Sequence, residues 1–350
     1  MNEGYEPVYA RSRGGRVESV HFGAGAVVDA GGRLLFSFGD PQLSVYLRSS
    51  AKPFQALPFA EHGGPGHFKL TPKELALLCA SHQGTDEHVE TAAAIQAKIG
   101  IGEPDLGCGI HPPGDRATRA RMEAAGEAPT ANRHNCSGKH TGMLACCRLM
   151  DWPLETYLDR SHPLQVCILE TLAAMSDFPM EAIGIGTDGC SAPNFSIPLY
   201  NAALAFARLS DPSGLPERRR DGCRSITTAM TAHPEMVAGR GEFDTCMMEA
   251  GGGNLVSKGG AEGYQAVGLL PWAAGGDSPG IGIVLKVSDG DPGGMVRTSL
   301  ALAILKSIGA LDHSQAEELA AFGPERVIKN YRGVETGAGA PLIEFDGTGR

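Results

Sequence analysis

The order of apolar segments constrains the fold of this chain most, because strand-like runs lie near both ends and helical patterns fill the middle. Residues 17–38 hold two apolar runs on either side of Asp29-Ala30-Gly31-Gly32, which predicts a β-hairpin. Three further strand-like runs lie at residues 254–258, 266–270 and 280–287. An amphipathic helix is expected after them, at about 294–308. This order predicts an α+β protein, with an antiparallel β-sheet flanked by helices.

The helical middle of the chain begins with a clear start signal. Thr71 can cap a helix, Pro72 suits its first position and Glu74 completes a capping box, so we expect a helix from about 72 to 81. Further helices are expected from Asp86 to just before Gly100, at about 138–150 with Ser137 as the cap, and at 163–175, 198–209 and 221–238. We therefore expect a single domain, 1–350, with a mainly helical lobe at about 71–250 inserted between the N-terminal strands and the C-terminal strand-helix part.

Charge and hydropathy exclude several classes of partner. A net charge of -10 argues against nucleic acid, whose phosphates require clustered Lys and Arg. The sequence has no apolar stretch of 18 or more residues. Its first residues do not show the basic segment followed by an apolar segment that is typical of a signal peptide. We therefore expect a cytoplasmic protein that does not bind membranes. Its nine cysteines lack the regular spacing of a disulfide framework. A small-molecule partner fits these properties best.

The run Arg48-Ser49-Ser50-Ala51-Lys52-Pro53 places a serine and a lysine three residues apart at a predicted helix start. Residues at i and i+3 lie on one helix face, so the lysine amine could take the proton of the serine hydroxyl. A lysine acts as such a base when burial or a nearby cation, here Arg48, lowers its pKa. The spacing alone also fits a capping serine beside a solvated lysine.

Two later segments strengthen the reactive interpretation. Ser81-His82-Gln83 follows the helix that starts at Thr71, and Ser257-Lys258-Gly259-Gly260 lies on the first strand after the helical part. Penicillin-binding proteins and serine β-lactamases carry a second serine motif and a Lys-x-Gly strand in this order. Ser81-His82-Gln83 differs from their Ser-Asp-Asn motif and Lys258-Gly259-Gly260 differs from their Lys-Thr-Gly motif, so a β-lactam substrate is not implied.

Two glycine-rich turns each present a cysteine, namely Asn135-Cys136-Ser137-Gly138-Lys139-His140 and Gly186-Thr187-Asp188-Gly189-Cys190. These cysteines could be buried structural thiols, metal ligands or a nucleophile. Two thiols leave a zinc site short of its usual four ligands, so a metal would also need a lysine, water or substrate.

Five motifs together resemble the rhizobial-type L-asparaginase family: Arg48–Pro53, Cys79–His82, Asn135–His140, Gly186–Cys190 and His233–Gly239. The resemblance extends from about Arg16 to about Gly309, and the family looks like serine β-lactamases and glutaminases in fold. A difference is the Gln83-Gly84 pair after Ser81-His82, which we expect to affect the pocket and to leave the reactive groups intact.

The resemblance implies a role for each matching residue. Ser49 would be the nucleophile and Lys52 its base, with Ser81 and Lys258 as a second Ser-Lys couple. Zinc would be held by Cys136, Lys139 and Cys190. The substrate's α-carboxylate and α-amine would be bound by Arg48, Asp188 and His140. The protein would be a homodimer.

We therefore expect an L-asparaginase that hydrolyses L-asparagine through an acyl-enzyme on Ser49. One alternative keeps the fold and changes the substrate to glutamine, another amide or a small peptide. A second makes zinc the Lewis acid or Cys190 the nucleophile. A third is a non-catalytic protein that binds asparagine without releasing ammonia.

Overall fold

A computed structural model of the protein describes residues 3–343. The chain divides into two compact units. The first, the sheet unit, comprises the residues up to Ser50, Ile197–Asp211 and the residues from Ala250 on. The second, the helical unit, comprises Ala51–Ser196 and Pro212–Glu249. The chain thus leaves the sheet unit, builds most of the helices, and returns twice.

The sheet unit is built on eight hydrogen-bonded strands: β1 Glu6–Arg13, β2 Arg16–Asp29, β3 Leu34–Phe38, β7 Leu255–Gly260, β8 Tyr264–Leu269, β9 Ile281–Val287, β10 Arg326–Lys329 and β11 Glu335–Pro341. Their order is β10-β11-β1-β2-β9-β8-β7, with β3 pairing β2 beside this path. Each pair with a recorded register is antiparallel. A ninth strand of the unit, β4 Ser44–Tyr46, lies outside this sheet. The helices of this unit are α8 Leu199–Ser210, α12 Met295–Ser307 and α13 His313–Glu318.

Helices α8 and α12 cover opposite faces of this sheet. A side-chain carbon on Gly282 would overlap the backbone of α8 at Ala203, so α8 lies directly on that face of β9. On the other face Gln265 of β8 accepts a hydrogen bond from Arg297 of α12. Because successive side chains of a strand alternate between faces, both sides of β7, β8 and β9 are buried and their residues are nearly all apolar.

The helices of the helical unit, with α11 ending at the boundary, are α1 Lys52–Glu61, α2 Gly64–His67, α3 Pro72–Leu78, α4 Asp86–Ile99, α5 Arg116–Ala125, α6 Ser137–Met150, α7 Pro163–Ser176, α9 Glu217–Ala232, α10 Pro234–Val237 and α11 Phe243–Ala250. The unit packs around α1, which contacts α6, α7 and α9, and around α3, which contacts α4, α6 and α9. Two short strands, β5 Gly184–Thr187 and β6 Pro193–Pro198, pair antiparallel between α7 and α8.

The predicted α+β architecture with an antiparallel sheet is confirmed, and so are most of the predicted elements. The hairpin of residues 17–38 is the β2–β3 pair. The capping box of Thr71 and Glu74 starts α3. Helix α4 runs from Asp86 to Ile99 and ends at Gly100, whose left-handed backbone closes it. Among the described residues, no helix is both long enough and apolar enough to span a membrane.

Several helix boundaries differ from the prediction. Helix α3 was expected to end at about residue 81, but it ends at Leu78. Ser137 was expected to cap α6, but it is the first helical residue, and its hydroxyl donates to the carbonyl oxygen of Asn132 instead. The segment 221–238 was expected to be one helix, but α9 ends at Ala232 and α10 begins at Pro234. Pro234 has no N–H to continue the helical hydrogen bonds, so the chain turns at His233.

Candidate functional site

Ser49 lies in a 3-10 turn, Arg48–Ala51, which leads directly into α1. Within the sheet unit this turn is tied to β7, because the Ser50 hydroxyl donates to the carbonyl oxygen of Lys258 over 2.7 Å. A side-chain carbon on Gly260 would lie 2.7 Å from the Leu47 carbonyl oxygen. Only glycine therefore lets β7 approach the turn so closely. The result is that Ser49 and the buried Lys258 are held in one well-packed region.

Arg48 has a left-handed backbone (φ 52°) and a guanidinium that is 26% exposed. Its Nη1 lies 3.8 Å from Oε1 of Glu262, a carboxylate in the turn between β7 and β8 that is 68% exposed. A pair this open and this long contributes little to stability. A guanidinium matches the two oxygens of a carboxylate, so the Arg48 side chain has the chemistry to bind a ligand carboxylate.

Lys52, the first residue of α1, is fully buried in the helical unit. Its Nζ donates to the carbonyl oxygen of Ala80 over 2.5 Å and to the hydroxyl of Ser81 over 2.8 Å, with the carbonyl oxygen of Asn135 at 3.5 Å. Burial lowers the pKa of Lys52; the negative charge of the Cys136 thiolate opposes this, and the nearby Lys139 lowers the pKa further. Burial thus shifts the amine toward the neutral form, which a general base requires.

A second cluster in the helical unit joins α6 to the loop after β5. The Nζ of Lys139 lies 2.8 Å from the Sγ of Cys190 and 3.9 Å from Oδ2 of Asp188. The Sγ of Cys190 lies 3.7 Å from the same carboxylate oxygen. Two turns that are 51 residues apart in the sequence thus bring a thiol, an amine and a carboxylate together.

Cys136 belongs to the same cluster through its hydrogen bond with Cys190. That bond lowers the pKa of Cys136 and raises the pKa of Cys190, so Cys136 is the thiolate of the pair. Burial would lower the pKa of Lys139, but the charges of Cys136, Cys190 and Asp188 outweigh it and raise this pKa. These directions favour a thiolate at Cys136 and an ammonium at Lys139.

His140 is buried beside this cluster, on α6. Its Nδ1 lies 2.6 Å from the hydroxyl of Tyr157, and its Nε2 has no hydrogen-bond partner among the described residues. Burial, with the neighbouring Lys139, holds the pKa of His140 well below its ordinary value. A neutral imidazole with a free ring nitrogen can still accept or donate one hydrogen bond to a ligand.

The chemistry of Cys136, Lys139 and Cys190 fits zinc, which prefers sulfur and nitrogen ligands. Within residues 3–343, no group of three or more His, Cys, Asp or Glu side chains is arranged to hold a metal ion. A zinc ion at this place would therefore need Lys139 as a ligand, in the neutral form that ligation requires.

Sequence reasoning assigned no role to His82, Asn135 or Tyr157. Asn135 contacts Lys52 and Tyr157 contacts His140, while His82 follows Ser81 in the chain and is hydrogen-bonded to Asn135. The sequence could have indicated His82 and Asn135, because they lie inside the motifs Cys79–His82 and Asn135–His140. Tyr157 is 17 residues from His140 and lies in no motif. A separate cavity of about 690 Å³, lined by Gln83 and Thr85 among others, includes none of the predicted site residues.

The chain is similar to solved glutaminases at low sequence identity. A probable glutaminase from Bacillus subtilis, in complex with 6-diazo-5-oxo-L-norleucine, is 13% identical, with 83% of this chain and 84% of that chain covered and a TM-score of 0.39. A Bacillus glutaminase in 4.3 M NaCl is 13% identical, with 81% of this chain and 90% of that chain covered and a TM-score of 0.37. Identity this low does not indicate which amide the chain hydrolyses. No curated protein shows significant sequence similarity to the chain.

The family described as L-asparaginase II matches residues 10–341, nearly the whole chain. All five motifs that resemble the asparaginase family lie within the matched residues. The predicted family and enzyme class are therefore confirmed. The chain belongs to the L-asparaginase II family and is an amidohydrolase.

Proposed function

We propose that the protein is an L-asparaginase that hydrolyses L-asparagine to L-aspartate and ammonia through a Ser-Lys acyl-enzyme mechanism. The observation that carries this proposal is the buried amine of Lys52, whose pKa is lowered by burial and which is hydrogen-bonded to Ser81. A lysine needs this environment to accept a proton near neutral pH. Family membership gives the reaction class, amide hydrolysis.

In the first half of the reaction, Oγ of Ser49 attacks the side-chain amide carbon of asparagine. Lys52 accepts the hydroxyl proton and returns it to the departing nitrogen, so ammonia leaves and an aspartyl ester of Ser49 remains. Ser81 and Lys258 serve as the second Ser-Lys couple, with the Ser81 hydroxyl as the link to the Lys52 amine.

In the second half, water attacks the ester carbon and gives its proton to Lys52. The ester bond then breaks, aspartate leaves and the Ser49 hydroxyl is restored. Backbone N–H groups of Ser49 and of the Lys258–Gly260 strand are proposed to stabilise the oxyanion in both halves. One such donor typically contributes about 100- to 1,000-fold to the rate.

We further propose that Arg48, Asp188 and His140 orient the substrate. A guanidinium matches the two oxygens of a carboxylate, so Arg48 suits the α-carboxylate. Asp188 is the acidic group suited to the α-amine. His140 offers the unpartnered Nε2 as a hydrogen-bonding group.

Zinc is proposed to bind Cys136, Lys139 and Cys190. When bound, it would supply a fixed positive charge near the substrate's polar groups. The residues themselves would bind it through two sulfurs and one amine, and the reaction steps above use only Ser49, Lys52, Ser81 and Lys258.

The decisive experiment compares ammonia release by the wild-type protein and by Ser49→Ala, with asparagine as substrate. We expect Ser49→Ala to keep the wild-type melting temperature and to lose activity by about 10⁴-fold or more, as removal of a catalytic nucleophile does. Ser44→Ala, an exposed serine five residues earlier, is the control and should behave as wild type. Near wild-type turnover by Ser49→Ala would contradict the Ser-Lys mechanism.

Side-by-side rates on asparagine and glutamine test the substrate, and a faster rate on glutamine would favour the glutaminase alternative. Loss of all turnover on chelation, with Ser49→Ala tolerated, would favour chemistry at zinc or Cys190. Saturable binding of asparagine without ammonia release would indicate a binding protein.

We also propose that the protein is a homodimer and is located in the cytoplasm. Light scattering would test the first statement and cell fractionation the second.

A further inference from the structure

We propose that His82 is a positioning residue, which fastens the loop that carries Ser81 to the turn Asn135–Ser137 and thereby holds the hydrogen-bond acceptors of Lys52 in place. This inference rests on the proposed function, since it assigns His82 a part in the reaction of Ser49 and Lys52. The positioning role needs neither metal nor substrate.

His82 is 2% exposed, and three of its groups are hydrogen-bonded. Its backbone N–H donates to the carbonyl oxygen of Asn135 over 3.2 Å. Its Nδ1 accepts the backbone N–H of Gly84 over 3.0 Å. Its Nε2 lies 2.9 Å from the hydroxyl of Ser137. The imidazole thus bridges two segments that are 55 residues apart in the sequence.

These contacts fix the tautomer of the ring. A backbone N–H can only donate, so Nδ1 must present its lone pair to Gly84. The ring hydrogen then lies on Nε2, which donates to the Ser137 hydroxyl. That hydroxyl in turn donates to the carbonyl oxygen of Asn132 over 3.1 Å, so each donor in the chain has an acceptor. A satisfied buried network of this kind holds its members in one arrangement.

The segments that His82 joins are the two that surround the Lys52 amine. Ala80 and Ser81 provide two of its acceptors, and Asn135 provides the third. The carbonyl oxygen of Asn135 is shared, because it faces both the Lys52 amine and the backbone N–H of His82. If the His82 side chain is lost, the Ser81 loop can move relative to Asn135, and the amine loses its fixed direction.

His88 offers a matched control, because its ring stacks on that of His82, with centroids 4.8 Å apart and planes at 14°. It is also 2% exposed. Its hydrogen bonds go to Thr85 and to the carbonyl oxygen of Glu235, and neither group contacts Lys52 in the described structure. A purely structural role would make the two histidines equivalent, whereas a positioning role sets His82 apart.

The experiment compares His82→Phe and His82→Gln with His88→Phe and His88→Gln. We expect His82→Phe to lower kcat by about 10- to 100-fold, the size of a lost buried hydrogen bond between active-site groups, while KM changes by less than about threefold. His82→Gln should recover part of kcat, because its amide can donate to Ser137. The His88 variants should lose similar melting temperature and retain kcat to within about threefold.

A double-mutant cycle with Ser137→Ala tests the bridge itself. If His82 acts through Ser137, the losses of kcat in His82→Phe and Ser137→Ala will not add in the double variant, because each single variant already removes the hydrogen bond between them. Ser137→Ala also keeps the test valid should His82→Phe fail to fold. Equal kcat losses in the His82 and His88 variants, or fully additive losses in the cycle, would overturn the proposal.

A readout independent of turnover separates this inference from the proposed function. In ¹⁵N-lysine-labelled protein, the Nζ resonance of Lys52 should shift in His82→Phe and remain in place in His88→Phe. A wild-type protein that releases no ammonia contradicts the proposed function, yet this shift would still support the positioning role. An unchanged Lys52 resonance in His82→Phe would overturn it, whatever the activity of the wild type.

Discussion

Lys52 illustrates how one residue acquires its chemistry from its surroundings. In water a lysine amine is almost wholly protonated at neutral pH and cannot accept a proton. Burial lowers the pKa of Lys52, and Ala80 and Ser81 fix the direction of the amine. The same side chain at an exposed helix start would be an ordinary solvated charge.

We predict that Lys52→Met and Lys52→Arg both lose kcat/KM by about 100- to 10,000-fold, the usual contribution of a general base. The methionine side chain has no basic group, and the arginine guanidinium stays protonated near neutral pH, so neither can accept the serine proton. Lys306→Met, at an exposed position on α12, is the control and should retain full activity. Steady-state kinetics on asparagine provide the measurement. Activity in Lys52→Arg comparable with wild type would contradict a role as base.

Cys190 tests the proposed metal site at the same scale. We predict that Cys190→Ala weakens zinc binding by about 100-fold or more, because even the outer partners of a metal site contribute about 10- to 100-fold. Cys223→Ala, a buried cysteine on α9, should bind zinc as the wild type does. Titration calorimetry with zinc measures both. Equal zinc affinity in the two variants would exclude Cys190 as a ligand.

At the scale of elements, the start of α6 depends on a close approach to the end of α3. A side-chain carbon on Gly138 would collide with the carbonyl oxygen of Leu77, so only glycine allows the two helices to touch there. Cys136 and Lys139 flank this contact, and Ser81 follows α3 by three residues. The packing of two helices thus brings both motifs into one region of the helical unit.

Gly138→Ala should therefore lower the free energy of unfolding by about 1–3 kcal/mol or more, since the added methyl must displace backbone. Gly66→Ala is the matched control, because its added carbon meets no atom within 4 Å. There the gain in helix propensity should leave stability unchanged or raise it by up to about 1 kcal/mol. Urea unfolding compares the two variants. Similar stabilities would show that α6 can move away from α3 without cost.

At the scale of the whole molecule, buried histidines should make stability depend on pH. Burial, and then His88, hold the pKa of His82 well below its ordinary value, and burial also lowers the pKa of His88. Below about pH 6.5 the unfolded chain binds a proton at each histidine, whereas the folded chain does not. The stabilisation is therefore complete above that pH and is lost as the pH falls.

We predict that the free energy of unfolding falls by up to about 1.4 kcal/mol per pH unit for each of these histidines between pH 6.5 and pH 5. Urea unfolding at pH 7.5 and 5.0 measures the fall, and His88→Gln should reduce it. Carboxylates with lowered pKa values, such as Glu87 and Asp289, act below this window and do not obscure it. An unchanged fall in His88→Gln would show that other groups control the acid response.

Features that depend on neighbouring residues could be predicted from the sequence. The cap at Thr71, the left-handed end of α4 at Gly100 and the β2–β3 hairpin follow from side chains within a few positions of one another. The order of the motifs was sufficient to predict the family. Local signals of this kind survive because turns, caps and helix periodicity are decided within about one turn of chain.

Only the tertiary structure decided which of the predicted groups meet. The bond of Lys52 to Ser81 spans 29 residues, that of Lys139 to Cys190 spans 51, and that of His82 to Ser137 spans 55. Spacing along the chain carries no information on such contacts, because they follow from helix packing and from the burial of α1, α3 and α6 together. Burial also lowers the pKa of Lys52, since desolvation depends on everything that surrounds the amine.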